Sequence, residues 1–156
     1  MNLRRQALSS VALGLVVAIV LARAAVADWQ YTRWGMTEGQ VIEASAGKAV
    51  AHHVGVRESW GIYADLVAPT LFGPFEYDAY FYFDDETGGL KAVRLEPPAP
   101  VWCIDVLKAL MDRYGTDQET LDGKTVWRDP VNNTRISLSG FSTCRVKYQP
   151  LAAADR

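Results

Sequence analysis

The sequence predicts an α+β domain in which an antiparallel sheet carries two short helices packed on one face. Three observations carry that prediction. Two segments, near residues 37–46 and 100–115, place apolar residues at helical spacing between capping signals. Phe75 to Phe83 alternates, with Phe75, Tyr77, Ala79, Phe81 and Phe83 on one side and Glu76, Asp78, Tyr80 and Tyr82 on the other; Leu90 to Leu95 returns as its partner after the polar turn Asp84–Gly89. Three further β-patterned segments follow the second helical one. Helix, strands, helix, strands is the order of an α+β fold.

The first helix opens at Trp34-Gly35-Met36-Thr37. Thr37 is an N-cap with Gln40 as its capping-box partner, and Met36 pairs with Val41 as a hydrophobic staple. Gly47 stops the helix after about Ala46, and so short a helix holds only if Val41, Ile42 and Ser45 dock on other elements. Residues 49–57 read equally as strand or loop. Trp60 to Ala68 is β-favouring, and Pro69 ends it. After the hairpin, Pro97, Pro98 and Pro100 break the chain, and Pro100 suits the first turn of the second helix. Cys103, Ile104, Leu107, Leu110, Met111 and Tyr114 form that helix's apolar stripe, and Gly115 ends it. Lys124–Arg128 and Thr134–Leu138 flank the turn Asp129–Asn133. Thr143 to Tyr148 alternates, with Cys144, Val146 and Tyr148 on one face and Arg145 and Lys147 on the other. The chain from Pro150 reads as a flexible tail. The expected division is a leader over 1–27, one domain over 28–149 and a tail over 150–156. Each half is a helix followed by a meander, without residue-level repetition.

The leader reading rests on Arg4 and Arg5, the apolar run Ala7–Ala22 and the small-x-small site Ala25-Val26-Ala27. Together these are an export signal with cleavage after Ala27. The run is shorter than the roughly 20 apolar residues of a spanning helix before Arg23 interrupts it, although an uncleaved anchor is the alternative reading. No cysteine lies near the cleavage site, which excludes lipidation there. The address is therefore periplasmic or secreted, an oxidising compartment where Cys103 and Cys144 are expected to pair. Each cysteine falls on the apolar face of its element, so a disulfide would clasp the second helix to the last strand. A redox dithiol normally appears as Cys-x-x-Cys, and two isolated cysteines supply half a zinc site.

The chain holds 16 basic and 18 acidic residues; the leader has three of the basic ones (Arg4, Arg5, Arg23), leaving 13 against 18, a formal charge of −5. Such a balance argues against nucleic acid and anionic membrane surfaces as partners.

The segment Trp34-Gly35-Met36-Thr37-Glu38-Gly39-Gln40-Val41 resembles the "WGMT-x-x-x-V" opening of small exported proteobacterial proteins. So does the later run of Tyr114-Gly115, Trp127, Ile136-Ser137-Leu138 and Val146-Lys147-Tyr148. Those proteins are similar in fold to the outer-membrane assembly lipoprotein BamE (SmpA/OmlA type) and to the β-lactamase inhibitor protein. The resemblance implies short helices on antiparallel strands and action by binding other proteins. It assigns no functional residue here.

Strong catalytic motifs are absent from the sequence. His52 and His53 are adjacent, so on a strand they point to opposite faces and do not converge on one metal. Asp84-Asp85-Glu86 lacks the alternating ligand spacing of a calcium loop and reads as a hairpin turn. Asn132-Asn133-Thr134 reads as turn chemistry. No cofactor, metal or catalytic residue is assigned. Trp29, Tyr31 and Trp34 read as core. Tyr80 and Tyr82, with Glu76 and Asp78, present a candidate partner-binding face, because Tyr buries large area at small entropic cost. The expectation is a non-enzymatic exported domain that binds another periplasmic or envelope protein. The alternative is a small-molecule or substrate-binding module, or an enzyme, with a pocket between helix and sheet lined by convergent polar groups.

Overall fold

The computed structural model describes residues 27–58, 62–140 and 143–153. The leader before Ala27, Trp60 and the last three residues lie outside them, as does the side chain of His53.

The chain runs α1 (Glu38–Ala44), β1 (Val50–Glu58), β2 (Ile62–Phe72), β3 (Phe75–Asp84), β4 (Leu90–Glu96), α2 (Cys103–Tyr114), β5 (Glu119–Leu121), β6 (Lys124–Asp129), β7 (Thr134–Ser139) and β8 (Arg145–Pro150). All eight strands join one antiparallel sheet in the order β1-β2-β3-β4-β8-β7-β6-β5. Two four-stranded meanders thus merge along the β4–β8 pair, and α2 is the crossover between β4 and the far edge. This corrects the expected α+β domain of BamE type. The fold is one continuous sheet with helices of only 7 and 12 residues beside it.

Local chemistry explains the elements. Thr37 accepts from the Gln40 N–H at 3.4 Å while Gln40 Oε1 accepts from the Thr37 N–H at 2.9 Å, closing the capping box. The helix ends at Ala44, earlier than expected, because Ala46 and Gly47 both take positive φ. Val41 and Ser45 are buried, whereas Ile42 is 39% exposed. Thr37→Ala is expected to cost about 1 kcal/mol of stability. Urea unfolding checks this, and an unchanged midpoint would mean that packing alone holds α1.

β2 runs through Pro69 to Phe72, past the expected stop. Its pairing with β1 ends at Val50↔Val67, so from Pro69 onward its outer side is a sheet edge where a missing N–H breaks no ladder. β5 was not read from sequence; its three residues are all exposed and carry no apolar alternation. At the other end, Pro150 pairs with Thr134, and the Leu151 N–H donates to Asn133 O at 3.1 Å with its side chain buried. The ordered domain therefore extends beyond residue 149.

One sheet face carries the core. Leu66, Ala68, Tyr77, Ala79, Phe81, Phe83, Val93, Leu95, Val146, Tyr148, Ile136 and Trp127 are buried there with Val41 of α1 and Val106 and Leu110 of α2. The α2 stripe is centred one position from its predicted line, since Val106 is fully buried and Ile104 is 53% exposed. Trp29 packs on Phe81 and Tyr148 with ring centroids 5.7 and 6.0 Å apart, and Tyr31 and Trp34 lie against the same cluster. Cys103 and Cys144 form a disulfide with Cα atoms 5.2 Å apart. It fastens the first turn of α2 to the residue preceding β8. Beside it, the Tyr77 hydroxyl donates to Cys144 O at 3.3 Å, and burial pushes the phenol's pKa up to about 12.

Candidate functional site

With the core and both helices on one side, the outward face of the sheet is built by the alternate residues. On the first meander these are Glu76, Asp78, Tyr80 and Tyr82 of β3, Val67 and Ala64 of β2, and Ala92, Arg94 and Glu96 of β4. The four predicted site residues do share this face, but they are not equivalent. Glu76 is exposed, and Asp78 and Tyr80 are half-buried. Tyr82 is fully buried between Ala64 and Ala92, which pair with it on either side. Arg94 lies over its ring, 4.8 Å from the centroid. The expectation that Tyr82 offers contact surface is therefore corrected: small neighbours leave a slot that the ring fills, and Arg94 covers it.

Tyr80 is the aromatic ring that this face presents. His52 of β1 meets it edge-on with centroids 5.1 Å apart. Burial, followed by the nearby Asp78 and Glu96 carboxylates, raises the Tyr80 pKa. Glu96 Oε1 lies 2.7 Å from Arg94 Nε and 3.4 Å from Arg145 Nε, so it bridges the seam between the two meanders.

Beyond that seam the face changes character. Register places Arg145, Lys147 and Gln149 of β8, Arg135, Ser137 and Ser139 of β7, and Lys124, Val126 and Arg128 of β6 outward. Sequence reasoning placed Arg145 and Lys147 together but missed the rest. Their convergence follows from the β6–β7 and β7–β8 registers, and β4–β8 pairing then sets them beside Arg94.

The other residues weighed from sequence have structural duties. Asp84 accepts from the Thr87 N–H and hydroxyl at 2.9 and 2.8 Å, which, with Lys91, holds its carboxyl below the usual range. Asn132 donates from its backbone and side-chain nitrogens to the Asp129 carboxylate at 3.1 and 2.6 Å, closing the β6–β7 turn. Near α1, Tyr63 donates to Glu38 at 3.2 Å, and burial followed by the Asp65 charge raises the Glu38 pKa.

Two clefts bear on the pocket reading. Between α2 and the sheet, Cys103, Ile104, Leu107, Thr125, Leu138 and Gly140 line a mainly apolar groove of about 200 Å³. At the opposite end, Asp28, Arg113, Tyr114, Asp129, Thr134 and Tyr148 line a polar cleft of about 370 Å³. Burial raises the pKa of Tyr114 and Tyr148 there. Several of its polar groups already serve the fold: Asp28 accepts from the Trp34 N–H at 2.7 Å, and the Thr134 hydroxyl is 3.0 Å from Asp28 O. Compared with known protein families, curated proteins and solved structures, the chain matches none.

Proposed function

We propose that the domain is an exported, non-enzymatic module that binds another protein of the bacterial envelope through the outward face of its sheet. The observation that carries this reading is the asymmetry of the sheet. One face is filled by both helices and the aromatic core, while the other presents Tyr80, Asp78, Glu76 and a field of polar and cationic side chains across the seam. A half-buried Tyr with a neighbouring imidazole is the kind of rigid, amphipathic anchor on which protein interfaces concentrate energy. The resemblance of the Trp34–Val41 segment to small exported proteins that act by binding points the same way. Periplasmic or secreted location is supported by the disulfide. Among the described residues no helix is long and apolar enough to cross a membrane.

Photocrosslinking in the native envelope tests the reading. A photoreactive residue at Tyr80 is expected to give a discrete protein adduct, and one at Ile42, on the helix side, is not. Equal labelling from both positions, or none from Tyr80, would sink the sheet-face assignment. A second reading, a small-molecule module, draws on the polar cleft around Tyr114 and Tyr148. Its signature is ligand-induced change confined to the Tyr114 and Tyr148 ring signals in NMR spectra.

A further inference from the structure

We propose that removal of the leader completes the fold: the α-ammonium group created on Asp28 is the occupant of the polar cleft beside Tyr114, Asp129 and Tyr148, and locks the N-terminal segment there. This rests on the export reading and goes beyond it by giving the cleavage a structural consequence. The folded domain starts at the residue that follows the bond to be cut. The Asp28 N–H donates to Thr32 O at 2.9 Å, and its Oδ2 accepts from the Trp34 N–H at 2.7 Å. Its carbonyl oxygen accepts from the Thr134 hydroxyl at 3.0 Å, across 106 positions of chain. Trp29 follows, only 5% exposed, with its ring on Phe81 and Tyr148. The buried Thr32 closes the loop by donating its N–H and hydroxyl to Trp29 O at 2.8 and 2.9 Å. Asp28 is thus engaged at its nitrogen, its carbonyl and its side chain, which is the anchoring expected of a new chain end rather than of a linker.

Charge decides what the cut adds. A peptide N–H at Asp28 has one proton to donate, and Thr32 O takes it. An α-ammonium keeps that bond, has two further donors and carries a positive charge. The cleft of about 370 Å³ around it supplies two carboxylates. One belongs to Asp28 itself, fixed by the Trp34 N–H, and the other to Asp129 at the end of β6, fixed by Asn132. Tyr114 of α2 and Tyr148 of β8 contribute neutral phenols, and β7 contributes the Thr134 hydroxyl. Among the described residues lining the cleft, Arg113 of α2 is the one cation; it is exposed and lies over the Tyr114 ring, 5.4 Å from the centroid. Two partly buried carboxylates against one solvated guanidinium favour a further cation in the cleft. Before the cut, that position holds an uncharged amide. The polar lining that a small-molecule reading assigns to a ligand is matched by a group the chain makes for itself.

The test compares two disulfide-bonded chains, one beginning at Asp28 and one retaining Ala25-Val26-Ala27, whose ammonium lies up to about 10 Å further along the chain. Intact mass of the exported protein first reads its N-terminus, expected at Asp28. Thermal unfolding of both chains is then followed from pH 6 to pH 10. At pH 6 the chain beginning at Asp28 is expected to melt about 3 °C or more above the longer one. A charged form favoured by folding has its pKa raised, so its contribution is complete below the unfolded value of about 8 and is lost as pH climbs through the folded one. The melting advantage should therefore fade towards pH 10. Side-chain titrations common to both chains cancel in the difference. Acylation of the α-amine by a succinimidyl ester, read by mass spectrometry against pH, should place its titration above the ordinary range of about 7.7–8.0. Equal melting at pH 6, a difference that does not vary with pH, or an α-amine titrating in the ordinary range would each overturn the inference while leaving export in place. An exported protein whose N-terminus lies elsewhere would overturn it together with cleavage after Ala27.

Discussion

Replacing Cys103 and Cys144 by serine is expected to destabilise the domain by about 4 kcal/mol. The bond closes a loop with a sequence separation of 41, and the chain-entropy estimate for a loop of that size is about 4 kcal/mol. Its position should realise most of that value. Cys103 begins α2, the crossover that must return to the sheet after carrying the chain from one meander to the other. Cys144 stands at the entry to β8, the strand on which the two meanders meet. It is fully buried and takes a positive φ of 44°, held by its N–H donating to Gly140 O at 3.0 Å. A non-Gly residue in that region is strained by the order of 1–3 kcal/mol and persists only where its surroundings hold it. Without the covalent bond, that strain and the α2 crossover are held by side-chain packing, the backbone bond from residue 144 to Gly140 O and the Tyr77 contact. Guanidinium unfolding of the double serine variant, set against the oxidised wild type, reads the loss directly. A loss near 1 kcal/mol or less would show that the packed core, not the clasp, holds α2 on the sheet. A large loss would also mean that the fold depends on conditions that keep this disulfide oxidised.

How far the fold was legible depends on the range of the interaction. The Thr37–Gln40 capping box, the Phe75–Phe83 alternation and the Gly115 stop are local, and each appears where the sequence put it. The cysteine clasp was legible because both residues fall on apolar faces of elements that local patterns already defined. The architecture was not. Whether two meanders form separate layers or one sheet is decided by β4–β8 pairing, a contact between Val93–Leu95 and Val146–Tyr148 with no local signature. Pro69 was misread for the same reason: its tolerance depends on where β1 ends, not on its own neighbours. The cationic half-face was hidden twice, first by a negative formal charge and then by strand order. Arg94 and Lys147 become cross-strand partners only once β8 lies beside β4. The alternation in β8 was the one available signal, and it showed one strand of a four-strand field.

Tyr80→Ala and Tyr82→Ala, two positions apart on one strand face, are expected to separate completely. Tyr82→Ala should cost about 3 kcal/mol or more, in the range for emptying a buried aromatic site. Its ring is fully buried, and its cross-strand neighbours are Ala64 and Ala92, which are too small to collapse into the space. Arg94, now lying over that ring, would lose its support as well. Tyr80→Ala should cost no more than about 1 kcal/mol, because its ring is half-buried and meets His52 only edge-on. Denaturant unfolding of both variants checks the contrast; similar losses would mean that Tyr80 is as structural as Tyr82 and would remove it from the proposed interface. The difference also governs how any loss of binding is to be read. A variant lacking Tyr82 would fail to bind because the first meander is undermined, whatever the partner touches. A loss of the crosslinked partner on Tyr80→Ala, at nearly unchanged stability, has no such route and places the contact on the sheet face itself.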